Sequence, residues 1–185
     1  QLFLERYPDY TKTSAIDDLR QRDYSRLDRN GQVYLDYTGG GLYSESQVRA
    51  HQDVLLNGVF GNPHSTNPSS RISTELVENT RKAVLDFFQA DPAEYVVIFT
   101  SNASGALKLV GESYPFSKSS EYLLTFDNHN SVNGIREYAL VKGARVTYVP
   151  VLPPRMRVDE NKLAGFLAKP KGSGNHLFAY PAQSN

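Results

Sequence analysis

The sequence has 185 residues, 20 Lys+Arg against 20 Asp+Glu, and no cysteine. That length supports one ordinary domain with a real core. The neutral balance removes the electrostatic case for nucleic acid or an anionic membrane, and the lack of cysteine excludes a disulfide framework or a thiolate metal site within this stretch. No apolar run approaches the roughly 20 residues of a bilayer span. The opening QLFLERYPDY is charged and has no signal-peptide core, so a soluble, cytoplasmic protein is expected. The chain starts at Gln1 and stops five residues after a strand-like run, so the expectation is the N-terminal part of something larger.

Residues 1–32 read as a polar, helical or irregular arm, with weak helical spacing at Ile16 and Leu19. Val33 to Tyr37 is a strand candidate ended by Gly39, Gly40 and Gly41. A helix fits 44–58, with Val48, Val54 and Leu55 as its apolar side. Residues 58–68 are dense in turn formers. A long helix follows over 69–89. Ile72, Leu76, Ala83 and Phe87 share one face at 3.6-residue spacing and are expected in the core. Asp91-Pro92 ends it.

Beyond this point strands and helices alternate. Strand 95–99 leads to helix 104–112, and strand 121–126 to helix 131–142, which stops at Gly143. Strand 145–151 precedes the turn at Pro153-Pro154. Asp159 can cap a helix carrying Leu163, Phe166 and Leu167. Strand 176–180 follows a surface turn at 169–174. This order predicts an α/β fold with a mostly parallel sheet.

Three strand-to-helix joints carry chemistry. The first is FTSNASGALKLVG, residues 99–111. Small residues admit a ligand close to the backbone, and a helix N-terminus offers free N–H donors, a suitable seat for phosphate. Read locally, the same residues also serve simply as a helix cap. The second joint, Asp127 to Ser131, places His129 just past a strand, where a surface turn histidine is the plainer local reading. The third, Pro181 to Asn185, brings amides to the same edge. In an open α/β sheet ligands collect at that edge.

Taken with their spacing, these joints resemble the fold-type I pyridoxal-phosphate enzymes of aminotransferase class V, the cysteine desulfurases above all. VYLDYTGGG is similar to the substrate-side strand and loop, GNPHSTNPSS to the Gly-Asn-Pro-Ser-Ser loop, IFTSNASGALKLV to the phosphate loop, and NHNSV to the Glu-His-x-x-Val segment. The spellings Tyr-Thr-Gly-Gly and HLFAYPAQSN resemble the desulfurase domain of molybdenum cofactor sulfurases. Residues 33–185 then look like part of the large pyridoxal-phosphate-binding domain, with helices on both faces of the sheet.

The resemblance implies roles residue by residue. Ala103 and Ser104 stand where the family binds the cofactor phosphate. His129 stands where the family's histidine stacks on the pyridine ring and helps proton transfer. Asn185 aligns with the residue that bonds the phenolic oxygen. Thr38 and Gly39 lie near the substrate carboxylate. Asn102 replaces a usual glycine, and its tolerance of positive φ is expected to preserve the turn. His64 is expected in a structural or interface role, Asp36 to cap the glycine-rich turn, and His51 and His176 to be ordinary surface or strand residues.

Lys108, Lys118, Lys142 and Lys162 match no Schiff-base motif. In the family that lysine, the acid on the pyridine nitrogen and the sulfur-accepting cysteine lie downstream of the segment matching 176–185. The implied reaction takes sulfur from L-cysteine as a persulfide, releases alanine, and passes sulfur to the molybdenum cofactor of an acceptor enzyme. The implied assembly is a homodimer, and this stretch alone is expected to be inactive. The alternatives are another class V enzyme (a cysteine desulfurase, a selenocysteine lyase, or an amino-acid lyase or epimerase) and a non-catalytic truncated product.

Overall fold

The computed structural model describes residues 2–168 and 172–183. The chain divides into two compact units, Gln1–Val97 and Ile98–Asn185.

The first unit is helical. Its elements are α1 (Leu2–Arg6), a 3₁₀ turn (Pro8–Thr13), α2 (Ser14–Asp23), α3 (Arg26–Arg29), α4 (Glu45–Asn57) and α5 (Pro68–Phe88). Asp23, at the end of α2, is buried and ties the helices together. Its Oδ1 accepts the Ser46 N–H at 3.0 Å, in the first turn of α4. Hydrogen bonds from Ser46 and then the Arg22 guanidinium hold its carboxyl below the ordinary range. Arg26 donates to the Tyr43 carbonyl at 2.5 Å and lies over the Tyr43 ring. Asn67 caps α5 by accepting the Ser70 N–H at 2.9 Å, and Pro68 takes the first helical position, where its missing N–H is harmless.

Two expectations for this unit change. Residues 33–37 form no strand, because no ladder partner reaches them among the described residues, and Val33 and Leu35 are exposed. The covered side of α5 is also not the expected one: it carries Ser70, Ser73 and Thr74 near its start and Val77, Val84 and Leu85 further on. The loop before α5 folds back on the helix's hydroxyl-bearing side. The Gly61 N–H donates to the Ser69 carbonyl, the Ser73 hydroxyl to the Gly61 carbonyl at 2.7 Å, and the His64 N–H to Thr74 Oγ1 at 2.9 Å. Ile72, Leu76, Ala83 and Phe87, expected in the core, are exposed, as are Val48, Val54 and Leu55 of α4.

The second unit holds the sheet. Its elements are α6 (Ala103–Ser113), β1 (Glu121–Thr125), α7 (Asn130–Asn133), α8 (Ile135–Val141), β2 (Arg145–Val149), β3 (Val151–Leu152), β4 (Arg157–Val158), α9 (Glu160–Ala168) and β5 (Leu177–Ala179). The strand order is β2-β1-β5, both pairs parallel, in the register Tyr122↔Val146 and Tyr122↔Leu177. The central strand is buried along its whole length, as a parallel strand covered on both faces should be. Alternate side chains divide it. Tyr122 and Leu124 join Phe116, Ile135, Ala139 and Ala144 in the core under α6 and α8. Leu123 points the other way, into a pocket shared with Phe166 and Leu167 of α9.

The expected helix over 131–142 is interrupted at Gly134, where the Glu137 N–H bonds to the Gly134 carbonyl in a tightened turn. It ends as expected at Gly143, whose φ of +80° lets the Ala144 N–H return to the Ala139 carbonyl. The expected strand 145–151 is two strands, and the β3–β4 hairpin is an addition the sequence reading lacked. Asp159 caps α9 as expected, accepting the Lys162 N–H at 3.0 Å. Residues 95–99 form no strand. They make no ladder among the described residues, and Val96 and Ile98 are exposed.

Candidate functional site

The carboxyl end of β1 is built around Asn128. This buried side chain donates to the Thr125 carbonyl at 2.8 Å, to Thr125 Oγ1 at 2.9 Å and to the Ala179 carbonyl at 3.2 Å. One amide thus clasps the ends of β1 and β5 and brings the second and third joints to one sheet edge. Tyr122 supports α7 from below by donating to the Val132 carbonyl at 2.8 Å, and burial pushes its phenol pKa up.

The first joint reaches the same edge without the expected strand. Asn102 is the N-cap of α6, and its Oδ1 accepts the Gly105 N–H at 2.8 Å. Its carbonyl accepts the Ala106 N–H and the Thr100 hydroxyl. Asn102 has φ −170°, ordinary extended backbone, so the positive φ expected of it is not used. The N–H groups of Ala103 and Ser104 precede the first intrahelical bond and are open to an outside acceptor.

Ser104 connects this helix end to the second joint. Its Oγ lies 2.5 Å from Ser131 Oγ, at the start of α7. His129 precedes α7 and is exposed, with its Nδ1 accepting the Ser131 N–H at 3.1 Å. Beside the pair runs a cavity of about 510 Å³ between α6 and α7–α8, lined by Leu107, Lys108, Ile135 and Tyr138 among others. The arrangement offers an anion two backbone N–H groups and a hydroxyl at the positive end of an 11-residue helix, with an imidazole close in sequence.

Ala103, Ser104 and His129 therefore share the second unit, and Ser104 is tied directly to the His129 segment. Thr38 and Gly39 belong to the first unit, in a turn closed by the Gly40 N–H on the Asp36 carbonyl and by the Tyr34 hydroxyl on the Gly40 carbonyl at 2.6 Å. The Asp36 carboxylate packs on Gly39 so closely that a Cβ there would meet both its oxygens at 2.7 Å. Asn185 lies outside the described residues. His64 holds a positive φ of 70° in its loop, and His51 is exposed on α4. His176 does more than expected. Its Nδ1 accepts the Glu121 N–H at 3.0 Å, and its Nε2 lies 3.2 Å from the Gly172 carbonyl.

Two groups of the second joint were given no role of their own by the sequence. Ser131 stands two residues after His129, and nothing in its identity marks it. Asp127 has a buried Oδ1 with no hydrogen-bond partner among the described residues, so a donor arriving at this edge finds an acceptor. Among the lysines, Lys142 donates to the Glu112 and Tyr114 carbonyls at the end of α6, and Lys108 pairs with Glu112. No group of three or more acidic or histidine side chains able to hold a metal occurs among the described residues, and no helix among them is long and apolar enough to cross a membrane.

The aminotransferase class-V family model matches residues 33–169. A molybdenum cofactor sulfurase of Arabidopsis thaliana is 39% identical over 97% of this chain and 24% of its own length. One from Oryza sativa subsp. japonica is 49% identical over 78% of this chain and 17% of its own length. The chain thus spans a quarter or less of the length of these curated relatives. Among solved structures, the apo cysteine desulfurase of Thermococcus onnurineus NA1 is similar with a TM-score of 0.60 and 26% identity, covering 72% of this chain and 33% of that one.

Proposed function

The chain belongs to the aminotransferase class V family, and on that premise we propose that it is part of a pyridoxal-phosphate-dependent molybdenum cofactor sulfurase that takes sulfur from L-cysteine. The similarity to relatives of that name and to a cysteine desulfurase structure supports the reading. The observation that carries it is the seat at α6. The open N–H groups of Ala103 and Ser104 and a hydroxyl already bonded to Ser131 fit the phosphate of such a cofactor.

Each residue then has a role. Ala103 and Ser104 hold the phosphate. His129 meets the pyridine ring with its flat imidazole. Thr38 and Gly39 receive the substrate carboxylate. Asn185, outside the described residues, donates to the phenolic oxygen. The cofactor, when bound, supplies the electron sink that sulfur removal requires. The lysine that would hold it is none of Lys108, Lys118, Lys142 and Lys162 in this reading. The products are alanine and a persulfide on a cysteine, this chain having none, and the sulfur passes to the molybdenum cofactor of an acceptor enzyme. The working assembly is a homodimer.

The test is to express the full-length protein that contains this chain, add pyridoxal phosphate and L-cysteine, and measure alanine and protein-bound persulfide. Both are expected from the full-length protein, and neither from the 185-residue chain alone. Alanine from selenocysteine but not cysteine, or turnover of another amino acid, would move the protein elsewhere in class V. No cofactor absorbance and no turnover would make it a non-catalytic relative.

A further inference from the structure

The imidazole of His129 is itself a helix cap. The residue precedes α7 with φ −60° and ψ 150°, and its carbonyl accepts the N–H groups of Val132 and Asn133 at 2.9 and 3.1 Å. Its side chain also takes the next open donor, with the Ser131 N–H 3.1 Å from Nδ1. A backbone N–H can only donate, so Nδ1 must present its lone pair. A neutral imidazole has one ring proton and one ring lone pair. The proton is therefore on Nε2, which has no partner among the described residues on an exposed ring. Turning the ring over would set a carbon against the Ser131 N–H and forfeit the cap.

We propose that the chain fixes His129 as a one-way hydrogen-bond donor. Nε2–H faces outward, and the only ring lone pair is held by the Ser131 N–H. In the neutral state the residue therefore presents a donor, Nε2–H, and no free lone pair. To accept a proton at Nδ1 the ring must release the Ser131 N–H, leaving a helix N–H without its partner beside a new cation. Ser131 is then a positioning residue in two senses. Its N–H sets the tautomer of His129, and its hydroxyl holds that of Ser104. One residue fixes both the ring's proton and the phosphate seat. The bearing of this on a bound cofactor rests on the function proposed above, but the tautomer does not.

The test uses the ¹⁵N-labelled protein without cofactor, in mildly alkaline buffer. Long-range ¹H–¹⁵N correlations report which ring nitrogen carries the proton, and the His129 signals are identified by their loss in His129→Asn. The expected pattern is Nε2–H. Amide exchange at Ser131 gives a second readout. His129→Ala should speed it about fivefold, the equivalent of one hydrogen bond of about 1 kcal/mol. His129→Asn, whose side-chain oxygen can replace the cap, should leave it near the parent rate. An Nδ1–H tautomer, or Ser131 exchange unmoved by His129→Ala, overturns the proposal. Failure of the parent to bind pyridoxal phosphate, read separately by absorbance, would overturn the functional reading and leave the tautomer standing.

Discussion

The hydroxyls of Ser104 and Ser131 lie 2.5 Å apart across 27 residues of chain. This contact fastens the N-terminus of α6 to the turn that carries His129, although residues 95–99 make no ladder with the sheet. Ser131→Ala removes one partner of the pair and frees the Ser104 hydroxyl to rotate. A neutral hydrogen bond contributes about 1 kcal/mol net. The full-length protein should bind pyridoxal phosphate about fivefold more weakly, with little change in thermal stability without cofactor. Spectroscopic titration checks the first and differential scanning calorimetry the second. A large loss of stability with unchanged affinity would assign the pair to folding alone.

Tyr122 is fully buried and donates to the Val132 carbonyl, and burial raises its pKa. A raised folded-state pKa gives stability that is complete below the unfolded value of about 10 and declines as pH rises above it. Chemical denaturation should therefore show falling stability above about pH 10 in the parent. In Tyr122→Phe the fall should be shallower, from a starting stability about 1 kcal/mol lower because the Val132 carbonyl loses its donor.

Asp23 carries the opposite sign. Ser46 and Arg22 hold its carboxyl below the ordinary range, so its contribution is present above the unfolded value of about 3.9 and lost as pH falls through the lower folded value. Asp23→Asn should remove this acid-side dependence and lower stability at neutral pH. Urea midpoints measured from neutral pH down to about 3 would test both.

Gly172 has φ +138°, and a Cβ there would overlap the Ser119 carbonyl. The Ser119 carbonyl also accepts the Gly174 N–H at 3.1 Å, so it cannot easily retreat. Gly172→Ala should destabilise the protein by about 2–3 kcal/mol, from backbone strain and the clash together. Urea unfolding provides the measurement, and a change below about 0.5 kcal/mol would show that the turn rearranges freely.

Much of the second unit was legible because its signals are local. The apolar stretch Tyr122-Leu123-Leu124, the glycine at 143 and the aspartate at 159 each fix an element by burial, left-handed backbone or capping. The failures were of another kind. Val33, Leu35, Val96 and Ile98 have strand-forming side chains, but a strand needs a neighbour, and periodicity says nothing about where one stands. The α5 face failed for a related reason. Spacing identified Ile72, Leu76, Ala83 and Phe87 as one side of a helix, while backbone and hydroxyl hydrogen bonds brought the loop to the other. At the site, His129 and Ser104 stood out by type. Ser131 did not, because a serine two residues past a histidine acquires meaning only when a helix begins between them.

The order β2-β1-β5 also bears on how the protein is made. The ribosome delivers the central strand first, and its partner β5 only about 55 residues later. At about 5–20 residues per second, one edge of β1 waits about 3 to 11 seconds for its neighbour. During that interval Tyr122, Leu123 and Leu124 belong to a nascent chain with an open seam, and the Asn128 clasp has no Ala179 carbonyl to hold. Translation speed across 125–179 is therefore a quantity to which the yield of folded protein should respond.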